Sequence, residues 1–261
     1  MNGNKNSSVP TPLAQVMMDY LDCPCRFFPA QKDPSAVLAA WEEARARGDR
    51  EGFLPVLVAV SETLWEALRM NACDEEDEDS YQFDLAQVRQ YRQKVLETPL
   101  PDFKETLESY LPFCPSYVQT WNQDPAPEVL PAGEPSHAFW GYKNYTTGGT
   151  QPLLLAEIPT GRAWTVFAWL PFGGWNSCPD TPALMVFSRR WRERYGAVPA
   201  VISSDTLEYR VPHPATPENA WELAREQGVF CPDSLDTDAE VPLAKLAADL
   251  AGATVWSFWW D

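Results

Sequence analysis

Four prolines crowd the segment Gln123–His137: Pro125, Pro127, Pro131 and Pro135. Proline has no amide hydrogen and a fixed φ, so this stretch cannot lie inside a helix or a central strand. It divides the chain into residues 1–122, a Pro-rich linker or ordered loop at 123–137, and residues 138–261. The parts differ in character. Residues 1–137 carry 23 acids and 11 bases, net −12; residues 138–261 carry 14 and 9, net −5; together they give the formal −17 of the whole chain. Ten of the twelve tryptophans follow residue 120.

Apolar spacing makes the first part mainly helical with one strand. Helices are expected from Ser35 through Trp41 to the arginines Arg45, Arg47 and Arg50, from Ser61 (an N-cap) over Leu64, Trp65 and Leu68, and over 85–96 and 103–111. The strand is 54–60. The second part alternates, which predicts an α/β (α+β) domain: a mixed β-sheet with packed helices. Strands are expected at 153–158, 164–170, 198–203, 206–211 and 254–260. Helices are expected at 182–195, 217–227 and 242–250. In the last strand, alternation sends Trp256, Phe258 and Trp260 to one face and Ser257 and Trp259 to the other.

A strongly negative protein is repelled by nucleic acid and by anionic membrane, so neither is an expected partner. A basic protein is. No apolar run approaches the roughly twenty residues needed to span a bilayer, and no secretory signal opens the chain, so a cytoplasmic location is expected. The six cysteines are then expected as thiols.

Four cysteines precede proline (Cys23, Cys114, Cys178, Cys231), two of them in the identical tripeptides Cys178-Pro-Asp180 and Cys231-Pro-Asp233. The residue before proline is driven to extended geometry, so each corner ends one segment and prepares the next. With Ala168-Trp-Leu-Pro-Phe-Gly-Gly-Trp-Asn-Ser-Cys-Pro179, Trp191-x-x-x-Tyr195-Gly-Ala, Asp205-Thr-Leu-Glu208, Phe230-Cys-Pro-Asp233 and Trp256-Ser-Phe-Trp-Trp-Asp261, these residues make the stretch from about Leu153 to Asp261 resemble the bacterial domain of unknown function 4253 family. The resemblance implies no reaction, cofactor or catalytic residue.

Several residues carry potential chemistry. Cys178 precedes a helix, whose dipole favours a thiolate; His213 could serve as its base and Asp205 as the orienting carboxylate. The opposing reading packs Cys178 as a small apolar residue and leaves His213 on a loop between Pro212 and Pro214. Cys178, Cys231 and His213 could form part of a metal site, although zinc sites usually pair ligands two to four residues apart, and Cys23-Pro-Cys25 lacks a second pair. No cofactor is expected. Trp169, Trp175 and Trp259, with Asn176 of the Gly173–Ser177 turn, could line a binding groove. The acidic run Asp74–Asp79 reads as a solvated loop or as a landing patch for a basic protein. Arg189, Arg190, Arg192 and Arg194 read as a basic face bridged to the acidic N-terminal part or, alternatively, as a site for a carboxylate or phosphate ligand.

Two functions stand as expectations. The first is a non-enzymatic, acidic protein-binding module that neutralises or scaffolds a basic protein. The second is a thiol-dependent hydrolase working at the Gly173–Cys178 loop.

Overall fold

The computed structural model describes residues 9–73, 81–115, 118 and 127–261. The acidic run Asp74–Asp79 lies outside the described residues. The chain forms two compact units, each discontinuous in sequence. One comprises residues 1–97, 140–172 and 200–204; the other comprises 98–139, 173–199 and 205–261.

The first unit is built on strands β1 (Cys25–Phe28), β2 (Leu54–Ala59) and β3 (Leu153–Ile158), joined by the part of β4 (Val198–Ile202) that belongs to it. Their order is β1-β3-β2-β4. β3 runs antiparallel to β1 and to β2, in registers Cys25↔Ala156 and Leu57↔Leu155, while β2 and β4 are parallel at Leu57↔Val201. β2 and β3 are buried along nearly their whole length, as continuous apolar runs covered on both faces require.

Helices α1 (Pro12–Leu21), α2 (Ser35–Glu51), α3 (Glu62–Ala72) and α4 (Leu85–Glu97) complete this unit. Thr11 and Ser61 cap α1 and α3 by accepting the Ala14 and Leu64 amides, both at 3.2 Å. The Tyr20, Trp65 and Phe83 rings pack edge to face, 5.6–5.7 Å apart. Among the described residues of the N-terminal 122, there are thus two strands, β1 as well as β2.

One expected strand does not form. Residues 164–170 fall largely in a 3₁₀ segment, Ala163–Ala168. The Thr160 hydroxyl accepts the Arg162 amide at 3.0 Å and lies 2.6 Å from the Thr165 hydroxyl, which also reaches the Arg162 carbonyl, so the chain is wound tight before a ladder can start. A short apolar run looks the same whether it is a buried strand or a buried helical turn.

The second unit contains α5 (Phe103–Tyr110), α6 (Thr181–Tyr195), β5 (Thr206–Arg210), α7 (Pro217–Phe230), α8 (Pro242–Leu250) and β6 (Val255–Trp259). β5 and β6 are antiparallel, with Glu208 opposite Ser257. Trp191 of α6 is the hub of the core: it stacks on Phe258 (5.3 Å, 5°) and meets Phe187, Tyr209, Phe230 and Trp256 at tilted or perpendicular angles. Trp256, Phe258 and Trp260 are buried and Trp259 is exposed, as strand alternation predicts. Residues 127–137 pack on their own unit. The Glu134 amide donates to Asp249, and the Ser136 carbonyl accepts the Thr254 and Val255 amides.

Candidate functional site

The Gly173–Asp180 loop is closed by its own backbone. The Gly174 amide donates to the Cys178 and Pro179 carbonyls (3.2 and 3.1 Å), and the Cys178 amide donates to Trp175. Gly173 is held against this loop so closely that a Cβ there would sit 2.1 Å from the Pro179 carbonyl oxygen. Asn176 takes the left-handed conformation at φ 44°, and its amide group donates to the Asp261 carbonyl at 2.8 Å.

Asp180 caps α6 by accepting the Ala183 amide at 3.0 Å. It is tied to α5 as well: the Tyr110 hydroxyl donates to its carboxylate and accepts its backbone amide, at 3.3 and 3.2 Å.

The second corner is made differently. Cys231 ends α7, its amide donating to Gln227 at 2.8 Å, and Pro232–Ser234 form a 3₁₀ turn. The Cys231 thiol donates to the Trp259 carbonyl (3.1 Å) and accepts from the Ser234 hydroxyl (3.0 Å). Asp233 caps no helix. It accepts the Ser177 hydroxyl at 2.6 Å, which ties the two corners together.

Residues 154–261 match the family model Domain of unknown function (DUF4253). No curated protein and no solved structure matches the chain. Both Cys-Pro-Asp corners, α6, α7, α8 and β6 lie within the DUF4253 match, whereas α5, which supplies Tyr110 to the first corner, lies outside it.

Within the DUF4253 stretch the sulfurs of Cys178 and Cys231 lie close enough to influence each other electrostatically. Both are buried. Burial pushes the Cys178 thiol far above its usual range, with Cys231 adding to the effect, and burial pushes Cys231 up to about 12. Desolvation outweighs the helix dipole here, so both sulfurs stay protonated at neutral pH.

His213 is not beside them. Its ring rests on Gly196, 3.0 Å from where a Cβ would lie, and its amide donates to the Tyr195 carbonyl. That is the C-terminal end of α6, while Cys178 precedes the N-terminal end. Fifteen residues separate those ends by about 22 Å. Asp205 precedes β5 and His213 follows it, so roughly 17 Å of strand parts that pair too. Asp205 accepts the Trp259 indole N–H at 3.3 Å instead. The three catalytic candidates are not brought together, and among the described residues no group of three or more His, Cys, Asp or Glu side chains is placed to hold a metal.

Of the binding candidates, Trp175, Asn176 and Trp259 belong to the second unit and Trp169 to the first, where the Arg92 guanidinium lies over its ring at 5.6 Å. Two neighbouring cavities do flank the first corner. One, of about 250 Å³, is lined by Tyr110, Phe113, Asn176, Cys178, Asp180 and Pro232. The other, of about 520 Å³, is lined by Pro101, Glu105, Tyr110, Phe113, Asp180 and Pro182. They share Tyr110, Phe113 and Asp180 and so form one groove along α5. Phe113 is 79% exposed at its rim. Sequence reasoning misses this groove, because α5 and α6 are some seventy residues apart and only their packing creates it.

The arginine face of α6 finds its acids on α7. Arg190 and Arg194 both reach Glu222 and Glu226, at 2.8–3.3 Å, and the Trp191 indole donates to Glu226 at 2.9 Å. Arg192 donates to the Gly196 carbonyl, and Arg189 pairs with Glu193. Among the described residues, the bridges shown for this face run inside the second unit rather than to the N-terminal part. Glu226 is buried, and burial raises its pKa despite the two arginines and the indole. The Arg194 hydrogen bond lowers that of the more exposed Glu222.

Proposed function

We propose that the protein is a non-enzymatic, acidic protein-binding module, and that the groove along α5 receives a basic segment of its partner. The observation that carries this reading is an exposed aromatic ring, Phe113, beside the carboxylates Glu105 and Asp180 on a protein of net charge −17. An apolar side chain of the partner fills the cavity beside Cys178, and a lysine or arginine next to it meets Glu105. Apolar anchors in such pockets dominate interface energy, and the surrounding charge speeds and orients the encounter.

The test is titration with dodecamer peptides rich in Lys and Arg around a central Leu or Phe, against Glu-rich peptides of the same length. The basic set is expected to bind, weakening with added salt, and Phe113→Asp to lose at least about tenfold in affinity, or about 1.4 kcal/mol. Equal binding of both sets, or an unchanged affinity in Phe113→Asp, overturns the reading.

The alternative, a thiol-dependent hydrolase at the Gly173–Cys178 loop, draws on Cys178 lining the same cavity. A buried thiol with raised pKa and a distant His213 weigh against it. Iodoacetamide labelling at pH 7 separates the two: fast alkylation of Cys178 in the native protein favours the hydrolase, and labelling that awaits unfolding favours the binder.

A further inference from the structure

The described cysteines include one close pair outside the corners, Cys23 and Cys25 of the first unit. Their sulfurs are 3.9 Å apart and both side chains are partly exposed. The backbone fixes them there. α1 ends on Asp22 in the left-handed conformation, and the chain bends at Cys23 before Pro24. From Pro24 onward the chain is pinned to β3, the Pro24 carbonyl accepting the Glu157 amide at 2.9 Å and Cys25 registering with Ala156. The turn at Asp22, the bend at Cys23 and the start of β1 at Cys25 together bring the two sulfurs to 3.9 Å. Cys25 opens β1, the end strand of its unit's order.

We propose that Cys23 and Cys25 form a two-coordinate site for a soft monovalent cation of the cuprous type. Three observations support it. The first is distance. Two metal–thiolate bonds of about 2.3 Å in line, the zinc–thiolate length, set sulfurs about 4.6 Å apart, and a disulfide sets them near 2.0 Å. The observed 3.9 Å, a thiol–thiol hydrogen bond, is nearer the first. The second is ligand number. Among the described residues no third histidine, cysteine or carboxylate completes a metal-binding group, which suits a cation satisfied by two soft donors better than tetrahedral zinc. The third is charge. Binding breaks two S–H bonds, forms two S–metal bonds, releases two protons to solvent and leaves a net −1 on the complex. The Arg92 guanidinium, buried against Tyr20 and bonded to its carbonyl, acts on Cys23 in favour of that charge, against the Glu157 carboxylate, which acts on Cys25 in the opposite sense.

The experiment uses the full chain, reduced and anaerobic, titrated into the coloured Cu(I)–bicinchoninate complex. The wild type is expected to withdraw one equivalent of Cu(I). Cys23→Ser and Cys25→Ser should each weaken that withdrawal by more than the roughly 10–100-fold typical of losing an outer-shell contact, while Cys73→Ser and Cys231→Ser retain it. Circular dichroism of each variant checks folding, and silver(I) titration of the wild type gives a second readout with the same expected one-to-one stoichiometry. No withdrawal by the wild type, or a Cys73→Ser loss equal to that of Cys23→Ser, overturns the site.

Discussion

The two Cys-Pro-Asp corners have the same three residues and opposite duties. Cys178-Pro-Asp180 opens a helix: its aspartate caps α6 and is held by Tyr110. Cys231-Pro-Asp233 closes one: its cysteine terminates α7, and its aspartate reaches back to Ser177. The residues just after each tripeptide decide the difference. Thr181-Pro182 places proline in the first helical turn, where its missing amide costs nothing and its φ suits the helix. Ser234-Leu235 instead turns the Ser234 hydroxyl back onto the Cys231 sulfur. A repeated motif fixes local backbone, and its neighbours assign the role.

The sharpest way to break this comparison is to crowd the glycine that precedes each corner. A Cβ on Gly173 would lie 2.1 Å from a backbone carbonyl oxygen, which cannot move without opening the loop; a Cβ on Gly228 would meet side-chain ends, that of Leu243 at 3.0 Å and those of Leu235 at ordinary contact distance. Gly173→Ala is expected to cost about 3 kcal/mol, the upper range for overpacking. Gly228→Ala should stay within about 0.5 kcal/mol of the parent, because the gain in helix propensity offsets the displaced leucine. Urea midpoints at constant slope measure both. Equal costs would mean that the first corner is no more tightly closed than the second.

The aspartates come next in size. Asp180→Ala removes an N-cap and the Tyr110 contact together, with an expected loss of about 1.5 kcal/mol. Asp233→Ala removes one hydrogen bond at a corner that needs no cap, with an expected loss of about 1 kcal/mol, and Ser177→Ala should reproduce it because both delete the same bond. Additive losses in the Ser177→Ala, Asp233→Ala double variant would show that the corners are not coupled through this bond.

How far these roles are legible in the sequence depends on how local their causes are. The limits of α6 are written in Asp180-Thr-Pro182 and Gly196, because capping and the left-handed stop at φ 66° act over a few residues. β6 is readable for the same reason: its alternation needs only one buried face. α1 also carries its signal, with Thr11-Pro12 ahead of Leu13, Met17, Tyr20 and Leu21 at helical spacing, and is a helix the expectations omit. β1 is four residues between prolines, too short for a pattern. The groove, the acids that meet Arg190 and Arg194, and the separation of Cys178 from His213 depend on how helices and strands distant in sequence pack. No spacing rule reports that.

The smallest effect tests whether the two thiols remain equivalent in their environment despite their different corners. Burial raises both pKa values above the ordinary 9.0, Cys231 to about 12 and Cys178 further. A thiol that ionises more readily when unfolded stabilises the fold fully below its unfolded pKa. That contribution is lost as pH rises from about 9 toward the folded value, because the unfolded chain sheds its proton first. At pH 8 only about a tenth of each thiol is ionised even in the unfolded chain, so Cys178→Ala and Cys231→Ala should differ from the parent by packing and by the lost sulfur hydrogen bonds, such as those of Cys231 to Trp259 and Ser234. By pH 9.5 the parent should have lost about 0.8 kcal/mol per buried thiol relative to its alanine variant. Thermal melts of the three proteins at the two pH values measure it. If one variant shows the alkaline relief and the other does not, the corners differ in burial as well as in helix polarity. If neither does, the sulfurs are wetter than their packing implies, and Cys178 returns to contention as a nucleophile.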